Sequence, residues 1–156
     1  MRAFFIGGTN MEEVENLKAA PLSPRMDNGV IKWFDGDTFT IQMLLSLVGK
    51  GLDENGHPID DAPISLKPTD QVVVTFYDCH KKIVHIFVST NIPCKPNEPG
   101  YNTINLVFDT DISYKFPRGK YTYCVKIVRK KEDGTVDEAD ITTLCAHNRV
   151  EVEPCN

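Results

Sequence analysis

Cysteine, histidine and acidic residues are the side chains of this sequence that could carry catalysis or bind a metal. Cys79 and His80 are adjacent, and His85 follows in the same apolar segment. Neighbouring residues of a strand point to opposite faces, which disfavours a Cys–His catalytic dyad here. The sequence contains no nucleophile elbow, no phosphate-binding loop and no zinc-binding HExxH motif. We therefore predict a protein that is not an enzyme and that binds no metal and no cofactor.

The five cysteines are an odd number and none forms a C-x-x-C pair, so neither a complete disulfide framework nor a paired-cysteine zinc site is expected. We predict that most of them are small buried residues of a chain made in a reducing cytosol. Cys155, beside the last residue, is expected to be exposed.

Two groups of acidic residues could bind calcium or act in glycoside hydrolysis. Asp53-Glu54-Asn55-Gly56 is followed by Asp60 and Asp61, but a calcium loop needs glycine at its sixth position, and here it is at the fourth. We interpret this segment as an Asn-Gly turn. Asp109 and Asp111 follow a predicted strand, where a turn fits better than a glycosidase pair.

Aromatic residues support one alternative function. Trp33-Phe34 before Asp35-Gly36-Asp37 could form half of a sugar-stacking platform, with Tyr101 and Tyr114 as further contributors. A carbohydrate-binding module centred on Trp33 is therefore our second hypothesis. We favour Trp33 as a core or strand-end residue, because large aromatic rings are more often buried.

Length and charge limit the class of protein. The 156 residues suffice for one domain, and 41% of them are hydrophobic. The net charge of −5 argues against general nucleic-acid binding, which requires a positive field. The sequence has no apolar run of about 18 residues, so we predict no membrane span, and the apolar stretch 3–6 is too short for a signal peptide.

Residues 1–29 differ from the rest, and we predict that they form an N-terminal arm. Met11, Val14 and Leu17 recur at helical spacing, which predicts a short helix over residues 11–20 behind Asn10 as its N-cap. Phe4, Phe5 and Ile6 precede this helix. A ten-residue helix has little stability alone, so the arm should dock on its own domain or on a neighbouring chain.

The residues from 30 to 156 alternate as β-strands do, and we predict that they form one all-β domain, an antiparallel sandwich. Helix is predicted only in the arm. The predicted strands are residues 38–47, 71–79, 83–89, 103–109, 121–130 and 149–153, with residues 78–82 linking a hairpin.

The register of the last hairpin is predicted from its turn. A loop of Glu132-Asp133-Gly134, with Gly134 in the left-handed conformation, places Lys130 opposite Val136. Continued without interruption, this register pairs Val125 with Ile141, Ile127 with Ala139, Lys126 with Asp140 and Arg129 with Asp137. Apolar residues then face apolar ones and opposite charges meet, so the basic run 129–131 is interpreted as a set of cross-strand partners rather than a phosphate site.

Two long connections, residues 49–68 and 92–100, are rich in glycine and proline. Loops of this length usually carry contacts with a partner, and Ile59, Ile64 and Leu66 could hold the first one against the sheet. The predicted partner-binding residues are Phe4, Phe5, Ile6, Val14, Leu17, Ile59, Ile64 and Tyr101.

The last strands carry a resemblance to a known family. Residues 116–127 (FPRGKYTYCVKI) contain Gly-x-Tyr-x-Tyr-x-Val-x-Ile, and Asp133-Gly134, Thr143-Leu144 and residues 149–152 follow. This pattern resembles immunoglobulin-like virion domains of tailed bacteriophages. It is similar to the N-terminal domains of baseplate upper proteins and to small head-decoration and head-fibre base proteins, over roughly residues 33–153.

The resemblance implies an immunoglobulin-like antiparallel β-sandwich and a non-enzymatic structural protein of the virion. Its partners would be other virion proteins of the capsid or of the tail and baseplate, and it would be oligomeric in the particle. It would assemble in the cytoplasm of the host bacterium, without binding nucleic acid or membrane.

Overall fold

Alternating apolar residues form most strands of the computed structural model, which describes residues 2–6, 23–47, 51–60, 62–131 and 133–155. The strands are β1 (Arg2–Ile6), β2 (Arg25–Asp27), β3 (Val30–Phe34), β4 (Phe39–Leu44), β5 (Ser46–Leu47), β6 (Ala62–Pro63), β7 (Gln71–Tyr77), β8 (Ile83–Ser89), β9 (Thr103–Phe108), β10 (Gly119–Lys130) and β11 (Val136–Glu153). A single short helix, α1 (Thr110–Ser113), lies in the described part. The prediction of an all-β protein is confirmed.

Two sheets pack against each other in a sandwich-like arrangement. The large sheet has the order β2-β3-β11-β10-β7-β8, and the small sheet has the order β1-β4-β9. All neighbours in these sheets are antiparallel except β3 and β11, which run parallel with Ile31 beside Val150. The prediction of a purely antiparallel sandwich is therefore wrong at this pair. More than a hundred residues separate β3 from the end of β11, so the chain is long enough to return in the same direction.

Aromatic rings fill the space between the two sheets. Phe108 of β9 stacks on Phe39 of β4 with ring centroids 4.7 Å apart. It also contacts the rings of Trp33, Phe76, Phe87 and Phe116. Phe108 thus connects both sheets and the segment after α1. The alternation that predicted inward-facing residues in 103–109 is confirmed, since Ile104, Leu106 and Phe108 are buried.

The predicted arm contains two strands of these sheets. Residues 2–6 form β1, which pairs with β4 and places Phe5 opposite Ile41. Residues 25–27 form β2, which pairs with β3. The predicted helix over 11–20 lies outside the described residues. The expectation that helix is confined to the arm is wrong, because α1 lies outside the arm. Asp109 caps this helix by accepting a hydrogen bond from the Ile112 N–H at 2.9 Å.

The last hairpin keeps its predicted register only near the turn. Lys130 lies opposite Val136, and Gly134 has the expected positive φ of 85°. Beyond that point β11 uses five residues where β10 uses two, so Val128 lies opposite Ile141 and Val125 opposite Cys145. The predicted pairs of Val125, Lys126 and Ile127 are therefore wrong. Bulges in the longer strand shift the register, which a turn-based argument assumes to be constant.

Arg129 forms an ion pair with an acidic residue of another segment of the chain. Its Nη1 donates to Oδ2 of Asp70 at 2.7 Å, and the same oxygen accepts the Lys67 N–H at 2.8 Å. The carboxylate of Asp70 is buried, while the guanidinium is partly exposed. This ion pair joins the end of β10 to the loop before β7.

Candidate functional site: two interaction surfaces

The first candidate surface is the side of the large sheet that faces away from the core, which we call the outer face. On β7, Val72, Val74 and Phe76 are buried in the core, so the alternating residues point outward. Cross-strand partners share a face, which extends this surface over the neighbouring strands. Its residues are Val73, Thr75 and Tyr77 of β7, Ile83, Ile86 and Val88 of β8, Thr122, Cys124, Lys126 and Val128 of β10, and Ile141, Thr143 and Arg149 of β11.

The outer face is unusually apolar for a solvent-facing sheet surface. Val88 lies opposite Val73, and Ile86 lies opposite Thr75, which in turn lies opposite Cys124. Ile86 and Val88 are 44% and 56% exposed. The free face of an antiparallel sheet normally carries polar residues. Contiguous exposed apolar residues of this kind mark sites of protein contact.

Strand β8 also forms an edge of the large sheet. Natural edge strands are usually protected by charged residues, proline or a covering segment. Residues 83–89 contain no charged side chain at neutral pH and no proline. Within the described ranges no strand pairs with the free side of β8. Its backbone can therefore accept an additional strand.

The charged residues among those named above are Lys126 and Arg149, while the carboxylate of Glu151 lies two residues beyond Arg149 on the same side of β11, opposite Lys120 and Lys32. Lys126 lies between Val73 and Thr143, and Arg149 lies opposite Thr122. Both side chains are exposed, and neither forms an ion pair with the residues that the structure describes. None of the outer-face residues named above is acidic. The face therefore favours a partner that combines apolar side chains with carboxylates.

The second candidate surface is a hairpin, of which the structure describes residues 46–47, 51–60 and 62–63. Its base is the pair β5 and β6, and an isolated bridge joins Leu52 to Pro58 near its tip. At the tip, Oδ1 of Asp53 accepts the backbone N–H groups of Asn55 and His57, both at 2.9 Å. Gly56 follows with a φ of 77°, so the predicted Asn-Gly turn is confirmed. Residues 51–60 are all exposed, and the tip is an ordered projection rather than an irregular loop.

Asn102 fixes the chain on both sides of this hairpin. Its backbone carbonyl accepts the Leu45 N–H at 2.8 Å, and its Nδ2 donates to the Ile64 carbonyl at 2.6 Å. Its own N–H donates to the Pro93 carbonyl at 2.8 Å. Asn102 is almost fully buried and has a φ of 52°, which asparagine tolerates better than most residues. One residue thereby ties the hairpin to the loop 92–101.

Replacing Asn102 by alanine should lower the free energy of unfolding by about 2 kcal/mol, because a buried carbonyl loses its donor and alanine is strained at positive φ. Chemical denaturation measures this change. Asn102→Gly is the matched control, since it removes the same hydrogen bond without the strain. Equal stability of the alanine variant and the wild type would contradict the role assigned to Asn102.

The structure separates the predicted partner-binding residues into different environments. Phe4, Phe5 and Ile6 lie in β1, and Val14 and Leu17 lie outside the described residues. Ile59 is exposed on the hairpin, together with Leu52. Tyr101 is half-buried beside Asn102.

Ile64 does not fit its predicted role. It is 5% exposed and packs in the core, so its side chain is not available to a partner. The expectation that Ile64 and Leu66 hold the first loop to the sheet is confirmed, because both are buried. Ile59 does not share this packing.

Trp33 is also a core residue. It is 1% exposed, and its ring packs against Phe39, Phe108 and Phe116. The preferred interpretation of Trp33 is confirmed. A buried indole cannot stack on a sugar, so the carbohydrate platform centred on Trp33 is contradicted.

The histidines and cysteines do not assemble a reactive cluster in the described part of the chain. Nζ of Lys115 lies 3.2 Å from Nδ1 of His85. Partial burial, and then the Lys115 charge, lower the pKa of His85 from its ordinary value of 6.5. No group of three metal-binding side chains occurs among the described residues.

Exposure differs among the cysteines. Cys124 is buried and Cys155 is exposed as predicted, but Cys79 is exposed as well, and Cys94 and Cys145 are half-buried. Burial raises the pKa of the Cys145 thiol. The expectation that most of the cysteines are buried is therefore wrong, since Cys124 is buried but the other four are exposed or half-buried.

Cys79 lines a shallow depression at one end of the outer face. Asp78 also borders it, and the backbone N–H groups of Lys82 and His80 lower the pKa of its carboxylate. These contacts order the turn between β7 and β8.

The outer face was missed by the sequence reasoning, although the sequence carries a signal for it. In residues 71–77 and 83–89, apolar residues occupy both odd- and even-numbered positions, as in Val72-Val73-Val74 and Ile86-Phe87-Val88. A strand with one solvated face should alternate apolar and polar residues. Apolar residues at both odd- and even-numbered positions therefore indicate a strand with apolar side chains on both faces.

Comparison with protein-family models, with curated proteins and with solved structures found no match. In the part of the chain that the structure describes, no helix has the length and apolar character needed to cross a bilayer.

Proposed function

We propose that this protein is a non-enzymatic structural component of a tailed-bacteriophage virion that docks on neighbouring virion proteins through its outer face. The observation that carries the docking role is the exposed apolar surface of β7 and β8, which ends at an unprotected edge strand. Such a surface favours contact with protein, since a solvated face would carry polar side chains.

The virion assignment is supported by the resemblance of residues 116–127 and of the strands around them to immunoglobulin-like virion domains. The sandwich-like all-β architecture is compatible with it. We propose an accessory role on the capsid, as a decoration or head-fibre base protein, or a role in the baseplate. The protein would assemble with its partners in the bacterial cytoplasm and would contact protein rather than nucleic acid or membrane.

The test combines particle composition with two substitutions on the outer face. Tagged wild-type protein, produced in infected cells, should appear in gradient-purified phage particles. The variant Ile86→Lys/Val88→Lys should be folded but depleted from the particles by about tenfold or more, because lysines at these exposed positions place charge in the interface.

Val107→Lys provides a matched control, since Val107 is an equally exposed valine on β9, in the small sheet. It should enter particles as the wild type does. Absence of the tagged wild-type chain from purified particles would overturn the virion proposal. Normal incorporation of the double variant would overturn the assignment of the outer face.

A further inference from the structure

The hairpin and the outer face are complementary in charge. Residues 51–60 contain Asp53, Glu54 and Asp60 and no lysine or arginine. Asp53 is engaged in the turn, whereas Glu54 and Asp60 form no ion pair with other described residues. The outer face carries Lys126 and Arg149 beside its exposed apolar residues, and the carboxylate of Glu151, further along β11, lies between Lys120 and Lys32.

The two surfaces also match in their apolar content. Leu52 and Ile59 are 65% and 45% exposed on the hairpin, a large apolar exposure for a loop otherwise rich in polar and acidic residues. The backbone N–H of Ile59 donates to the Gly51 carbonyl at 3.2 Å, so these residues belong to an ordered ribbon. An ordered projection loses little conformational entropy when it binds.

We propose that the hairpin of one copy docks on the outer face of a second copy, so that the chains associate head to tail. Leu52 and Ile59 would pack against Val73, Ile86 and Val88. Glu54 and Asp60 would approach Lys126 and Arg149. The two contacting patches differ, so the contact is heterologous and closes into a ring or continues as a chain of subunits. This inference rests on the proposed function, because it identifies one protein partner of the outer face.

Sedimentation velocity at low ionic strength tests the proposal on the full-length protein. The hairpin variant is Glu54→Lys/Asp60→Lys, and the face variant is Lys126→Glu/Arg149→Glu. Wild type should associate as its concentration rises, and added salt should weaken the association. Each double variant should weaken it by about tenfold or more, because like charges then meet.

Charge restoration separates this contact from a general effect of net charge. A chain carrying all four reversals should associate again, as should an equimolar mixture of the hairpin variant and the face variant. The control Glu98→Lys/Asp111→Lys changes net charge by the same amount as the hairpin variant but lies outside both surfaces. It should associate as the wild type does.

A wild-type protein that stays monomeric at every concentration, or double variants that associate like the wild type, would overturn the head-to-tail contact. The head-to-tail contact would also be overturned if neither the chain with all four reversals nor the mixture of the two double variants associated. Particle incorporation distinguishes the two proposals. A monomeric wild type that still enters particles, and is excluded by Ile86→Lys/Val88→Lys, leaves the proposed function in place while removing this inference.

Discussion

Replacing Phe108 by alanine is expected to destabilise the fold by about 4 kcal/mol, because the substitution leaves a large cavity between the sheets. Phe108 is 1% exposed and contacts five other aromatic rings. Those rings belong to both sheets and to the segment after α1, so little backbone can move inward to fill the space. The cavity should therefore stay largely open, and the full cost of a buried Phe→Ala substitution is expected.

Urea unfolding followed by circular dichroism measures this loss. Tyr114→Ala is the matched control, since Tyr114 is 82% exposed and its removal should change the free energy of unfolding by less than about 0.5 kcal/mol. A Phe108→Ala loss of the same size as the control would contradict the central position of this ring.

Replacing Arg129 by methionine should destabilise the protein by about 3 kcal/mol, because it leaves the buried Asp70 carboxylate without its cation. The carboxylate of Asp70 is 1% exposed, and its Oδ1 already has no hydrogen-bond partner. Without the Arg129 donor, the carboxylate of Asp70 would keep the hydrogen bond from the Lys67 N–H but would have lost its ion pair. An uncompensated buried charge costs far more than a lost surface ion pair.

A second substitution separates the buried charge from the lost packing of arginine. Adding Asp70→Asn to Arg129→Met removes the charge and should recover more than half of the lost stability, as measured by thermal and urea unfolding. Arg118→Met is the control, since its ion pair with Asp35 is largely exposed, and it should cost less than about 1 kcal/mol. No recovery in the double variant would assign the loss to packing alone.

The candidate surfaces were only partly accessible from the sequence. The glycine- and proline-rich segment 49–68 was predicted to carry partner contacts, and Ile59 is indeed exposed on an ordered hairpin. Ile64 was placed in the same surface but is buried, because Asn102 holds its backbone against the body of the domain. The composition of this segment predicts a connection between core strands, but not which of its apolar residues turn inward.

The outer face depends on which strands become neighbours. Val73 and Val88 are brought together when β7 pairs with β8, and Lys126 joins them when β10 pairs with the other side of β7. Each valine alone is compatible with a core position. Their shared exposure follows from the packing of the sandwich, which leaves this face of the large sheet uncovered within the described chain.

The sequence by itself determined the local features of this protein. Alternation of apolar residues identified several strands and their inward faces, as at Ile104, Leu106 and Phe108, because side chains alternate with a period of two along any strand. Turn chemistry identified the bend at Gly56 and the loop ending at Gly134, because positive φ favours glycine.

Only the tertiary structure decided how these elements combine. Three features depend on contacts between residues distant in sequence. They are the parallel pairing of β3 with β11, the bulges that place Val125 opposite Cys145 instead of Ile141, and the ion pair of Arg129 with Asp70. A two-residue period identifies the face of a strand but not its neighbour. The neighbours are selected by packing of the whole core, and this selection also creates the outer face.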